Sequence, residues 1–361
     1  MEKLALMKSE FPTSDFWSGK RVLITGHTGF KGCWLAVWLN ILGARVTGIS
    51  LPPGASPNLF ELANIQYLNS SHFCDIREVT TLSNMVKDVN PEIVFHLAAQ
   101  ALVRESYDDP LTTFSTNTQG TANLLDCLRF TESLKVVVAI TTDKVYKNLE
   151  LIYPYRETDA LGGHDPYSAS KAAAEIIIAS YRDSYFKNRG IALASARAGN
   201  VIGGGDWSGD RLIPDAIRAW QSNQPLTIRN PNAVRPWQHV LEPLSGYLSL
   251  AQKLWENPDL AGPYNFGPQP QEAATVELVI NLARDAYGSG VIRFEADTSN
   301  FHETRWLALE IAKARTLLGV NPKWDLTESI QRTMSWYLAQ KEGANPRKLC
   351  EAEIAAYGSK L

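Results

Sequence analysis

Arg21-Val22-Leu23-Ile24-Thr25-Gly26 is an apolar run that ends in glycine, and helical text follows at once from Phe30 to about Leu42. A strand apolar on successive residues has to be covered on both faces, which is the signature of a parallel sheet. The same alternation repeats down the first half. Strands are expected at Ala44 to Ser50, Ser70 to Ile76, Glu92 to Ala98, Lys135 to Thr141 and Ile191 to Arg197. Helical text fills the gaps, notably from Thr112 to Phe130 and from Pro166 to Lys187. The expected class is therefore α/β: a Rossmann-type parallel sheet with helices on both faces.

The loop after the first strand reads Thr25-Gly26-His27-Thr28-Gly29-Phe30-Lys31-Gly32, a GxxGxxG spacing. Glycine permits the tight turn and lets the backbone approach a pyrophosphate, which the following helix N-terminus attracts. Gly26, Thr28, Gly29, Phe30 and Gly32 are thus expected to hold a dinucleotide. The end of the second strand, where an acid for the ribose hydroxyls often stands, holds Ser50. No arginine suited to a 2′-phosphate stands there either, and NAD is the expected cofactor. Asp75, followed by Ile76, is placed to accept from an adenine amino group or to cap the next helix before Glu78. His96-Leu97-Ala98-Ala99-Gln100 is expected to lie along the dinucleotide.

Rhythm changes after Asn200. Gly203-Gly204-Gly205-Asp206-Trp207 reads as a loop, and short helices and strand fragments follow. Five of the ten tryptophans fall between positions 200 and 310 and read as core of a second lobe. The expected organisation is a lead-in over 1–17, a cofactor-binding domain over 18–200 and a smaller C-terminal α/β substrate lobe over 201–361. Segments near 236–260 are expected to return to the first domain, as is the short strand around Tyr264. The 361 residues, 45% of them hydrophobic, suffice for such a core. A net charge of −3, with both signs mixed, excludes the basic stripe of a nucleic-acid binder. No apolar run reaches the ~18 residues of a membrane span. Cys33, Cys74, Cys127 and Cys350 are scattered and read as reduced thiols of a cytoplasmic protein. No His/Cys/Asp cluster has metal-ligand spacing, so no metal is expected.

Tyr167 and Lys171, four apart, share one face of a helix. Beside a nicotinamide ring such a pair can remove an alcohol proton while hydride leaves the same carbon. Lysine charge favours phenolate and lowers a tyrosine pKa from ~10. Just upstream stands Thr142-Asp143-Lys144. Its acid and amine add proton-transfer groups that a plain dehydrogenase does not need.

The glycine loop, Asp75, His96-Leu97-Ala98-Ala99, Asn117 and Tyr167-x-x-x-Lys171 together resemble an extended short-chain dehydrogenase/reductase. Within that superfamily the chain is similar to the nucleotide-sugar 4,6-dehydratases. Thr142-Asp143-Lys144-Val145-Tyr146, Arg235-Pro236-Trp237-Gln238-His239 and Pro57-Asn58-Leu59-Phe60-Glu61 resemble their CDP-glucose branch. The resemblance implies C4 oxidation, loss of water across C5 and C6, and hydride return to C6, in deoxysugar biosynthesis. It gives Tyr167 the C4 hydroxyl proton, Thr142 a hydrogen bond to the C4 oxygen and Asp143 the role of acid at C6. In dTDP-glucose dehydratases the tripeptide ends Thr-Asp-Glu, with glutamate as base. Lys144 departs from that pattern, and either serves as the C5 base or stays charged and stabilises the enolate. Asn117 either links the active-site helix to water or satisfies a buried backbone group.

For CDP-glucose as substrate, Asn200 matches the superfamily's phosphate contact. Arg235 and Arg211 are the expected diphosphate cations, and His302 and Glu303 could complete the nucleotide end. The resemblance also implies a homodimer or homotetramer. The all-round apolar stretch Ala172 to Ala179 agrees with a partner's cover, or with burial under the second lobe. A UDP-sugar 4-epimerase, which shares the loop and YxxxK, has no use for Asp143-Lys144. A GDP-mannose dehydratase has glutamate in place of Lys144. A cofactor-sensing regulator of this fold usually loses the tyrosine or the lysine.

Overall fold

Thirteen strands are seen in the computed structural model, which describes residues 12–54, 56–67, 70–295 and 305–359. The first six are β1 (Arg21–Thr25), β2 (Arg45–Ser50), β3 (Ser70–Phe73), β4 (Ile93–His96), β5 (Val136–Ile140) and β6 (Ala192–Ala198). Short pairs follow. β7 (Val201–Ile202) pairs with β10 (Gln238–His239), β9 (Val234–Arg235) with β12 (Ala274–Thr275), and β8 (Leu226–Ile228) with β13 (Ile292–Phe294). β11 (Pro263–Phe266) returns to the main sheet, beside β6.

The main sheet has seven strands in the order β11-β6-β5-β4-β1-β2-β3, and all its pairings are parallel. The chain runs outward from β1 to β3, then crosses back to lay β4 against the other side of β1. This is a Rossmann-type α/β sheet, and the reversal opens a crevice beyond the carboxyl ends of β1 and β4. Thr25 stands opposite His96 there.

Both faces of the inner strands β1, β4 and β5 are buried, as unbroken apolar strands require, whereas the edge strand β3 is largely exposed. Val22 and Ile24 join one core, and Leu23 between them joins the other. On the second face lie the helices Val79–Val89, Gly120–Leu128 and Pro166–Tyr181. The first face takes Phe30–Ile41, whose residues 32 to 39 are all buried. Beside it lies Leu241–Glu256, a sixteen-residue helix where only short helices were expected. The same core continues into Leu212–Gln221, Val276–Tyr287, Leu326–Lys341 and the C-terminal helix Pro346–Ser359. Trp17 is fully buried against Phe95, so the short helix Ser14–Trp17 packs against the sheet through Phe16 and Trp17.

Two expected helices are interrupted. The one read from Thr112 to Phe130 begins at Pro110 and passes through a π-helical turn, Ser115–Gln119. The other ends at Tyr181 and continues as a π-helical turn, Arg182–Phe186. Each turn shifts the side chains that follow by a fraction of a helical period.

Candidate active site

Sequence sets where the Tyr167 helix begins. Asp165 is its N-cap: one carboxylate oxygen accepts from Ser168 N at 2.9 Å, and the other accepts from Ser168 Oγ at 2.6 Å. Pro166 follows at the first helical position, where its missing N–H costs nothing. The start is therefore fixed one residue before Tyr167. The helix runs beside the end of β5, where Thr142 caps a short 3-10 turn, Asp143–Val145.

Thr142 joins the two elements. Its hydroxyl donates to Asp143 Oδ1 at 2.9 Å and is hydrogen-bonded to the Tyr167 hydroxyl. Lys171, one turn on, donates from Nζ to the Ile140 carbonyl at 3.2 Å. All four groups are buried. Burial draws the Lys171 ammonium down to about 8, opposed by the Glu175 carboxylate. It also pushes the Tyr167 hydroxyl up to about 12, with the Thr142 hydrogen bond opposing. That corrects the lowering expected from Lys171: loss of solvation dominates at Tyr167, and the ammonium is tied to a backbone carbonyl.

Asp143 is 2% exposed, and its Oδ2 has no hydrogen-bond partner among the described residues. Burial raises its pKa, against the pull of Lys144, Thr142, Arg235 and Lys31. Gly199 leaves room for this oxygen, since a Cβ there would lie 2.9 Å from it. A buried carboxyl with one free oxygen and a raised pKa can hold a proton and donate it. Lys144, half-buried, is its chain neighbour.

Tyr167 and Lys171 open into the same cleft as the glycine loop, Ser50, Asp75, Ala98 and Arg211. The cleft fits a dinucleotide. Gly26 has φ +79°, and a Cβ there would lie 2.6 Å from Ala98 N. A Cβ on Gly32 would lie 2.1 Å from Gly26 O. Loop, β4 end and helix thus pack at backbone distance, which only glycine allows. Gly29, the N-cap of Phe30–Ile41, gives no side-chain cap, so the first-turn N–H groups remain for an anion. Ser50 Oγ pairs with Thr28 Oγ1 at 2.8 Å at the cleft's edge.

Some expected cofactor residues have other duties. His96 is buried between Thr25 Oγ1 at 2.7 Å and Thr121 Oγ1 at 3.0 Å, away from the cleft. Leu97, Ala98 and Ala99 line it, whereas Gln100 does not. Asn117 sits on the π turn and holds the Gln100 backbone with both amide atoms at 2.9 Å, while Nδ2 also donates to Ser170 Oγ at 2.9 Å. It satisfies a buried backbone and ties it to the Tyr167 helix. Ile76 is buried beside Gly120 and reaches the cleft. Asp75 caps no helix: its carboxylate accepts from Arg77 N at 2.9 Å and is forked to the Arg77 guanidinium.

Among the expected substrate residues, Arg211 is paired with Asp206 at 3.1 Å. Arg235, on β9, is 5% exposed, donates to the Val234 carbonyl and sends its charge towards Asp143. Asn200 lies between β6 and β7, with its carbonyl accepting from Gln238 N at 3.1 Å. His302 and Glu303 lie outside the described residues. Two features went unread in sequence. Lys31 lines the cleft, its ammonium drawn down to about 7 by burial and by Arg211. Glu175 forms a buried ion pair with Arg197. The signal for Glu175 was its place four residues after Lys171.

A sequence profile described as GDP-mannose 4,6 dehydratase matches residues 23–333. The CDP-glucose 4,6-dehydratase of Salmonella typhimurium is 45% identical over 351 residues, 96% of this chain and 98% of that protein. The dTDP-glucose 4,6-dehydratase of Xanthomonas campestris pv. campestris is 25% identical, covering 88% and 93%. In fold, the chain is similar to the UDP-glucuronic acid 4-epimerase of Bacillus cereus in complex with UDP-glucuronic acid and NAD. There the TM-score is 0.75 at 24% identity, over 88% of this chain and 99% of that one. The UDP-glucose-4-epimerase of Stenotrophomonas maltophila with bound NAD gives 0.77 at 21%, over 90% and 99%.

Proposed function

The chain belongs to the GDP-mannose 4,6 dehydratase family, and from that membership we propose that it converts CDP-glucose to CDP-4-dehydro-6-deoxyglucose with NAD as resident cofactor. Identity of 45% along nearly the whole length of a CDP-glucose 4,6-dehydratase supports the substrate. The observation that carries dehydration rather than epimerisation is the free, buried Oδ2 of Asp143 beside the Thr142–Tyr167 hydrogen bond. Epimerisation at C4 needs no acid at C6.

NAD, when bound, supplies the hydride acceptor for C4 and the hydride donor for C6. The chain's own groups handle the protons. Tyr167 takes the C4 hydroxyl proton, with Thr142 on the same oxygen and Lys171 one turn further along the same helix. The C4 ketone then acidifies the C5 hydrogen, which Lys144 removes. Asp143 protonates the C6 hydroxyl, and the C6–O bond breaks with release of water. Hydride returns to C6 and a proton to C5, leaving a methyl group. One water is lost, and the cofactor ends as it began. The buried charge of Lys171 and the buried acid of Asp143 act in a site with little water to screen them.

Gly26, Thr28, Gly29, Phe30 and Gly32 hold the dinucleotide phosphates, with Ser50 and Asp75 towards the adenosine end. Arg211, Arg235 and Asn200 take the sugar-nucleotide diphosphate. Two copies pair in this reading, supported by Leu111 and Ile176, which stand 81% and 62% exposed on helices flanking the site. Light scattering at the mass of one chain would exclude the pair. Four free thiols support a reducing, cytoplasmic setting. Among the described residues no helix is long and apolar enough to cross a membrane.

Incubation with CDP-, dTDP-, UDP- and GDP-sugars in parallel tests the assignment. A 4-keto-6-deoxy product, which develops a chromophore in alkali, is expected from CDP-glucose. Failure to turn over any CDP-sugar would overturn it.

A further inference from the structure

Three successive turns of Pro166–Tyr181 grip the end of β5. Tyr167 is bonded to Thr142, Lys171 to the Ile140 carbonyl at 3.2 Å, and Glu175 to Thr141 Oγ1 at 2.5 Å. The Glu175 carboxylate also accepts from Ser195 Oγ at 2.7 Å and from Arg197 Nε and Nη2 at 3.0 and 2.9 Å, both on β6. Arg197 and Glu175 are each 3% exposed at the side chain, and Arg197 stacks over the Tyr146 ring at 5.0 Å. Four hydrogen bonds to a buried carboxylate fix its position within a fraction of an ångström.

We infer that Glu175 is a positioning residue of the active site: it anchors the strand end that carries Thr142 and Asp143, and it stands one helical turn behind Lys171. The inference rests on the dehydratase reading above. Lys171 is faced by Glu175 on its own helix, by Lys31 from Phe30–Ile41 and by His96 from β4. Lys31 opposes the ammonium, His96 is buried neutral, and Glu175 is the group that favours it. Tyr167 is faced by Asp143, Asp165 and Arg211. Arg197 pairs with the Glu175 carboxylate from β6. With that charge gone, Lys171 loses its proton at lower pH.

Titration of Lys171 in the NAD-loaded chain tests this. Lysine is labelled with 13C at Cε, and the Lys171 signal is identified by its loss in Lys171→Arg. In Glu175→Gln the midpoint falls by about one pH unit, and the alkaline limb of C4 oxidation moves down with it. Glu175→Asp keeps the charge and the original midpoint. Thr141→Val leaves both the ion pair and the midpoint intact, and slows C4 oxidation about tenfold at constant KM. An unmoved midpoint in Glu175→Gln, a lowered one in Glu175→Asp, or wild-type oxidation in Thr141→Val overturns the inference. Glu175→Gln leaves Arg197 buried and unpaired. If circular dichroism shows that variant unfolded, the other two decide alone. Turnover of CDP-glucose by the unaltered chain reads the dehydratase assignment separately.

Discussion

Asp143 and Lys144 are adjacent in the chain and divided by burial. Asp143 is enclosed, with a raised pKa and one oxygen free; Lys144 is half-buried at the mouth of the same turn. In the proposed mechanism the division separates the proton transfers at C6 and C5. Lys144→Met is expected to permit C4 oxidation, seen as absorbance of reduced nicotinamide, and to abolish solvent exchange at C5; normal turnover would sink the base role. Asp143→Asn should still oxidise C4 yet lose about 10²–10⁴-fold in water elimination, measured by product formation. Tyr167, Lys171 and Asp143 were readable because each lies in a local pattern, YxxxK or the strand-end tripeptide. Arg235 beside Asp143 was not, since 92 positions separate them and a lobe strand brings them together.

At the scale of elements, the glycine loop works by closeness. The helix Phe30–Ile41 meets β1 at Gly32 and the β4 end meets it at Gly26, each at a distance that no side chain survives. Gly32→Ala must push the helix off the strand or distort the loop. The expected outcome is loss of bound NAD on gel filtration and a lower melting temperature. An alanine variant that keeps its cofactor would show the contact to be slack. The inner strands β1, β4 and β5 were legible because residues that alternate between two buried cores are mostly apolar. Boundaries were less so: Asn117 falls on a π turn, where its amide is bonded to Gln100 and Ser170 from two other segments.

Across the whole molecule, burial of polar groups sets the response to acid. Desolvation holds His27 down to about 4, and His96 and His239 to about 3. These folded values lie below the unfolded 6.5, so below that pH the unfolded chain binds three protons that the folded chain refuses. Glu242 opposes one of them. Burial lifts its carboxyl to about 7, so it carries a proton in the folded chain alone between about 4.5 and 7. The net difference of two protons predicts a loss of about 3 kcal/mol per pH unit below 6.5. Urea midpoints at pH 7.5 and 5.5 measure it. Glu242→Gln should steepen the fall, and His239→Asn should flatten it. Equal midpoints at the two pH values would contradict the assignment of neutral, buried histidines.

Sequence alone determined the parallel sheet, the dinucleotide loop and the Tyr167–Lys171 pair, because each depends on spacing within one strand, turn or helix. Tertiary structure decided which groups keep their ordinary chemistry. His96 reads as a cleft residue and is closed between two threonines; Tyr167 reads as an activated phenol, and burial raises it; Glu175 reads as one more helical charge and is the anchor of a strand end. Solvation and partners from distant segments govern these properties, and both come into being only when the sheet, its helices and the second lobe have packed together.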